Sequence, residues 1–170
     1  MDNVILVNAK GEKIGLEEKM EAHRLGKLHL AFSIFVFDQD GRLMLQRRAQ
    51  GKYHAGGLWT NTCCSHPRDE ESIEDAAHRR LKEEMGFDCM LKKVGTITYN
   101  VPVGELIEHE YDVLFVGVYN KEPVINLEEA DEWMWISFDL LIKDIAENSQ
   151  KYTPWLKVIL HERGHSLLRI

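Results

Sequence analysis

With 170 residues, 44% hydrophobic and 29% charged, the chain has the composition of a soluble globular protein and the length of one ordinary domain. A formal net charge of −7 excludes the basic field that non-specific nucleic-acid binding requires, although cations or a metal can still reverse the potential inside a single pocket. The longest apolar run, LAFSIFVF, falls far short of the roughly 18 to 20 residues of a membrane span. The start MDNVILVNAKGEK has no signal-peptide or transit pattern, and three cysteines, two of them adjacent, fit a reducing, cytoplasmic setting better than a disulfide framework.

In chain order, VILVN (4–8) reads as a strand leading through NAKGEK into a hairpin-like turn. EEKMEAHR (17–24) is a short helical or irregular stretch ended by Gly26. HLAFSIFVF (29–37), the turn DQDG and RLMLQRR (42–48) form a strand–turn–strand unit, because Asp-Gly punctuates two β-rich runs. Residues 49–57, AQGKYHAGG, are a loop. From Glu71 to Met85 the spacing of Ile73, Ala76, Ala77, Leu81 and Met85 predicts a helix, with acidic residues in its first turn and Gly86 as its stop. Strands are predicted at VGTITYNV (94–101), HEYDVLFVGVY (109–119) and EWMWIS (132–137), followed by a helix over FDLLIKDIAEN. Pro154 opens a last helix with Trp155, Val158, Ile159 and Leu167 facing inward. Strands with helices set between them, but no strict βα alternation, predict an α+β domain: a mixed sheet packed by helices as an α/β/α sandwich over residues 1–170.

Three clusters carry chemistry. NTCCSHP (61–67) sets two cysteines side by side and a histidine two residues after the second. It is open to reading as a metal clip, a nucleophile or two buried thiols. HERGH (161–165) has the H-E-x-x-H spacing of a zinc site, but Gly164 weakens the helix between the histidines and no third-ligand pattern follows, so it reads as a solvated helix end. His23, His29 and His66, with Glu108 and Glu110, make a third cluster. On a strand, Glu108 and Glu110 share one face and His109 takes the other, so His109 reads as an ordinary strand residue. Three imidazoles and two carboxylates suit Mn²⁺ or Mg²⁺, with Zn²⁺ possible.

The stretch 65–87 resembles the Nudix box, G-x5-E-x7-R-E-U-x-E-E-x-G-U with U apolar. Glu71, Arg79, Leu81, Glu83, Glu84, Gly86 and Phe87 fall in register. Ser65 replaces the first glycine and Arg80 replaces the glutamate after the arginine. That exchange removes a metal-binding carboxylate and adds a cation suited to phosphate, which argues against the alternative of a Nudix hydrolase acting on a nucleoside or prenyl diphosphate.

AHRLGKLHLAFS, RRAQGK, GLWTNTCCSHP, the altered box and IEHEYDVLFVG, in this order, resemble the type I isopentenyl diphosphate isomerases of the Nudix superfamily. The similarity runs from about Val4 to the last helix. It implies a Nudix-type fold and a prenyl diphosphate substrate, isomerised to dimethylallyl diphosphate in isoprenoid biosynthesis, with divalent metal and no flavin. Carried over residue by residue, Cys64 and Glu110 match the two proton-transferring groups and Tyr99 the tyrosine that assists Glu110. His23, His29, His66, Glu108 and Glu110 match the ligands of one metal, and Glu84 matches the ligand of a second, Mg²⁺. Lys19, Arg48, Lys52 and Arg80 match the diphosphate-binding cations, and Trp155 the aromatic residue at the hydrocarbon end. Cys63 then reads as a structural neighbour and Trp59 as core. The five residues between His23 and His29 are one fewer than in the best-known bacterial pattern of the family.

Overall fold

The computed structural model describes residues 2–168. A hairpin of β1 (Asn3–Val7) and β2 (Lys13–Glu18) leads into helix α1 (Lys19–Leu25) and the strands β3 (His29–Phe37) and β4 (Leu43–Arg48). Two short strands, β5 (Trp59–Thr60) and β6 (Cys63–Ser65), precede helix α2 (Ile73–Met85). The strands β7 (Leu91–Val103) and β8 (Leu106–Val118) form a long antiparallel hairpin, followed by β9 (Ala130–Ile136). Helix α3 (Phe138–Glu147), a 3-10 turn at Ser149–Lys151 and helix α4 (Pro154–Leu167) come last. Among the described residues, no helix is long and apolar enough to cross a membrane.

The sheet is mixed, as predicted, and β3 is its hub. It runs parallel to β8 from His29 beside Glu110 to Phe37 beside Val118, and antiparallel to β6, where Ser33 pairs with Cys64 and Ile34 with Cys63. Period-two alternation divides its side chains between two cores. Phe32, Ile34 and Val36 pack with Val113, Phe115 and the inner face of α2. Phe35 and Phe37 pack with Leu114, Val116, Leu141 of α3 and Trp155, Leu156 and Ile159 of α4. The sheet thus lies between α2 on one face and α3 and α4 on the other, the α/β/α layering expected. Each fully buried large apolar side chain contributes about 1.5–3 kcal/mol to holding these layers together.

The differences from the predicted elements have local causes. Ser72 is extended and accepts from the Asp75 amide, so α2 begins at Ile73 and Glu71 lies outside it. Gly86 closes α2 at φ 71°, and a Cβ there would meet the Val124 carbonyl oxygen at 2.2 Å. Glu18 ends β2 and its side chain caps α1, which resolves the ambiguous 17–24 stretch into a strand end and a helix. The histidines of HERGH are exposed on α4, as a solvated helix end should be. The helix nevertheless continues through Gly164, where the Phe138 ring occupies the space a side chain would need.

Candidate active site and metal centre

Five side chains from four segments converge. His23 comes from the buried side of α1, which Gly26 terminates in a left-handed turn that sends the chain back to His29 at the head of β3. Glu110 sits beside His29 across the parallel β3–β8 pairing, Glu108 lies two residues earlier on the same face, and His66 follows β6. One potential ligand atom from each of the five lies within 4.8 Å of the others. His23 Nδ1 donates to the Lys19 carbonyl at 2.6 Å and His29 Nδ1 to the Lys27 carbonyl at 2.8 Å. In a neutral ring bonded this way the lone pair lies on Nε2, and both Nε2 atoms face the centre, the outer-contact pattern of metal-binding histidines.

A divalent cation fits this donor set. His23 Nε2, His29 Nε2 and Glu108 Oε2 are buried with no hydrogen-bond partner. Orphaned polar atoms cost free energy, and a common cation would satisfy all three. Burial depresses His66 to about pH 4 against the pull of Glu110, leaving it neutral. Burial opposes ionisation of Glu110 as well, but the contacts with His29 and His66 hold it well below the ordinary carboxylate value. Neutral imidazole and ionised carboxylate are the protonation states that ligate metal. His109 turns away and its Nδ1 lies 2.8 Å from the Gly26 carbonyl, in keeping with its reading as an ordinary strand residue.

Beside this cluster a narrow cavity of about 30 Å³ is lined by Cys64, His66, Glu110, Arg48, His54 and Trp155. The WTNT stretch that leads into the two cysteines is held largely by side-chain hydrogen bonds. Thr62 accepts from the Val36 amide and donates to the Met44 carbonyl, while Asn61 donates to the carbonyls of Ile34 and Cys63. Thr60 receives the Trp155 indole N–H at 3.0 Å. The adjacent cysteines then diverge: Cys63 is fully buried against α2, while Cys64 lines the cavity with His66. Burial, together with Glu84, Glu110 and Asp112 and against Arg48, raises the Cys64 thiol so that it keeps its proton. Tyr99 donates to Glu110 Oε2, and burial with the Glu110 charge raises its phenol well above its usual value.

Next to this pocket lies a wider, polar cavity of about 250 Å³, to which Lys19, Lys52, Arg68, Arg79 and Arg80 contribute. Between the two, a neck of about 40 Å³ brings Arg48, Lys52, Arg80 and Glu84 together with Cys64. Glu84 lies outside the five-residue cluster and is held by Arg80 at 2.6 Å and Gln46 at 2.7 Å. Arg79 grips Glu71 with two hydrogen bonds of 2.7 and 2.8 Å and approaches Glu83 at 3.2 Å, so this arginine braces the box itself.

Sequence reasoning missed four contributors. Glu129 bridges Lys52 and Arg80, and despite burial those two cations bring its carboxyl to about 2. His54 and Tyr53 wall the narrow cavity from a loop that carries no periodic signal. Asp112, fully buried, accepts from Ser33 at 2.7 Å, and burial with the Glu110 charge raises its carboxyl well above the usual range. Extending the alternation of Glu108 and Glu110 by one more step along β8 would have found Asp112.

A family model described as NUDIX domain matches residues 27–156. The chain is 53% identical over 160 residues to a protein of Aromatoleum aromaticum named isopentenyl-diphosphate Delta-isomerase 2, covering 94% of this chain and 85% of that one. It is 50% identical over 163 residues to a protein of the same name from Photorhabdus laumondii, covering 95% and 92%. Among solved structures, DR0079 from Deinococcus radiodurans superposes with a TM-score of 0.80 over 94% of this chain and 98% of that one at 15% identity. The MutT protein from Methanosarcina mazei superposes at 0.66 over 81% and 94%, at 16% identity. At such identities these two establish the shared fold alone.

Proposed function

The chain belongs to the isopentenyl-diphosphate Delta-isomerase family within the NUDIX-domain proteins, and from that premise we propose that it converts isopentenyl diphosphate to dimethylallyl diphosphate by transferring protons between Cys64 and Glu110. The observation that carries the reading is the junction of two cavities. A narrow pocket with a protonated thiol, a carboxylate and an indole opens beside a wider one with Lys19, Lys52 and Arg80. That division suits a small hydrocarbon joined to a diphosphate.

The reaction adds a proton at one alkene carbon and removes one from the carbon two along, passing through a tertiary carbocation. It needs an acid and a base on opposite sides of the hydrocarbon, and exclusion of water. Of Cys64 and Glu110, one donates while the other accepts, and the roles exchange in the reverse direction. Tyr99, hydrogen-bonded to Glu110, keeps that carboxylate oriented and supplies or withdraws a proton at its Oε2. The π-face of Trp155, which already attracts Arg48 at 5.2 Å, stabilises the cation by about 1–2 kcal/mol. Lys19, Arg48, Lys52 and Arg80 bind the diphosphate. His23, His29, His66, Glu108 and Glu110 would hold Mn²⁺ or Mg²⁺, with Zn²⁺ a further occupant, and Glu84 a second ion, Mg²⁺, at the diphosphate. A divalent ion there supplies positive charge that acidifies a proton on Glu110 and neutralises the diphosphate.

Incubation of the purified chain with isopentenyl diphosphate and Mg²⁺, without flavin, tests this directly. Dimethylallyl diphosphate is the expected product. Release of phosphate would instead establish a Nudix hydrolase.

A further inference from the structure

We propose that His54 is a positioning residue of the metal centre, holding Glu108 in its ligating orientation and tying it to the diphosphate-binding Arg48; the proposal rests on the reading of Glu108 as a ligand given above. His54 stands outside the convergent five-residue cluster yet is only 8% exposed. One ring nitrogen, Nε2, contacts Glu108 Oε1, and the other, Nδ1, lies 3.3 Å from Arg48 Nη2. A guanidinium can only donate, so Nδ1 must be the accepting nitrogen and the ring proton resides on Nε2, aimed at the carboxylate. That hydrogen bond occupies Glu108 Oε1 and leaves Oε2, the buried and otherwise unpartnered oxygen, directed at the centre 3.3 Å from His23 Nε2.

Three further features hold the ring in place. Tyr53 packs against it with centroids 4.0 Å apart, and Trp155 lies 5.4 Å away on the cavity wall. Arg48 also donates to the His54 backbone carbonyl through Nε and Nη2, at 3.4 and 3.3 Å. The next residue, Ala55, adopts a left-handed φ of 50°, and a Cβ on Gly56 would meet the Gln50 carbonyl oxygen at 2.6 Å. A non-glycine residue holds that conformation only where its surroundings dictate it. A loop so determined presents His54 to Glu108 in one orientation. Partners of this kind set the position and basicity of a ligand, and their loss weakens metal binding about 10- to 100-fold.

Calorimetric titration of the metal-stripped chain with Mn²⁺ alone tests the assignment, comparing wild type with H54A and H54Q, each checked for folding by circular dichroism. H54A should bind Mn²⁺ about 10- to 100-fold more weakly. H54Q should recover most of that loss, because its side-chain N–H can replace the imidazole Nε2–H. Wild-type affinity in folded H54A, or an H54Q as weak as H54A, overturns the proposal. If H54A fails to fold, H54Q decides alone: near-native affinity supports the role and a large loss overturns it. Failure of the wild-type chain to bind Mn²⁺ would overturn the metal reading and this proposal together, whereas wild-type binding with H54A unaffected overturns only the proposal.

Discussion

At the residue scale the adjacent cysteines separate structure from chemistry. Cys63 and Cys64 occupy successive positions of one short strand, so their thiols point to opposite faces, one into the α2 core and one into the narrow cavity. Cys64→Ala should therefore abolish most isomerisation, by the 10²- to 10⁴-fold that a positioned proton-transfer group contributes. Cys63→Ala should leave turnover within a few-fold of wild type while lowering the thermal midpoint. Product formation from isopentenyl diphosphate, read beside a melting curve for each variant, checks both, and equal activity in the two would refute the assignment of the thiol. In the sequence this division followed from the family resemblance of the NTCCSHP stretch, whereas alternation made legible the shared face of Glu108 and Glu110 and the outward turn of His109. Glu129 and His54 were not legible, for a physical reason. Each lies in an irregular segment, where side-chain direction follows from φ and ψ rather than from a repeat, and their partners lie far off in sequence: Glu129 meets Lys52 and Arg80, and His54 meets Glu108.

At the scale of elements, α2 shows how a hydrolytic motif persists as a scaffold. Its apolar residues and its glycine stop were readable as periodicity and punctuation, and they hold in the structure. Its start was misread by two residues because Glu71 belongs to the turn before the Ser72 cap, from which it reaches back along the helix to Arg79. The hydrogen bond from Arg79, working against desolvation, lowers the Glu71 carboxyl to about 2. A carboxyl depressed in the folded state adds stability that is complete above its unfolded value and is lost as pH falls through the folded one. For Glu71 that window runs from about pH 4.5 down to about pH 2. Glu71→Gln should thus lower the neutral-pH thermal midpoint by about 2–4 °C, the shift that a loss of about 1 kcal/mol produces in a chain of this size. It should also flatten the dependence of the midpoint on acid, so that the difference from wild type shrinks toward pH 2. A difference that stays constant from pH 7 to pH 2 would show that Glu71 is not held ionised by Arg79. The short strands β5 and β6 escaped prediction because two or three residues carry too little pattern, and buried Thr60, Asn61 and Thr62 hold that stretch through side-chain hydrogen bonds instead.

On the scale of the whole molecule, the five candidate ligands tie together parts that share little else. His23 belongs to α1, His29 to β3, and Glu108 and Glu110 to β8, while His66 joins β6 to the approach of α2. Three of these polar atoms are buried without a hydrogen-bond partner, a cost to the folded arrangement that a shared cation would relieve. A cation that binds only the folded arrangement stabilises it by RT ln(1 + [L]/Kd), about 2.7 kcal/mol when free metal is a hundred times its dissociation constant. Stripping metal with a chelator should therefore lower the thermal midpoint by several degrees, and Mn²⁺ should restore it in proportion to the logarithm of its concentration. In Glu110→Gln, which replaces a charged ligand with a neutral amide, the response to Mn²⁺ should largely vanish. Gly86→Ala, which disturbs the end of α2 and the Val124 backbone packed against it, away from the five ligands, should lower the midpoint yet preserve the response. A midpoint indifferent to metal in the wild-type chain would mean that the convergence of His23, His29, His66, Glu108 and Glu110 does not hold a cation. In that case the acidity of Glu110 would have to come from its contacts with His29 and His66, against the burial that opposes it.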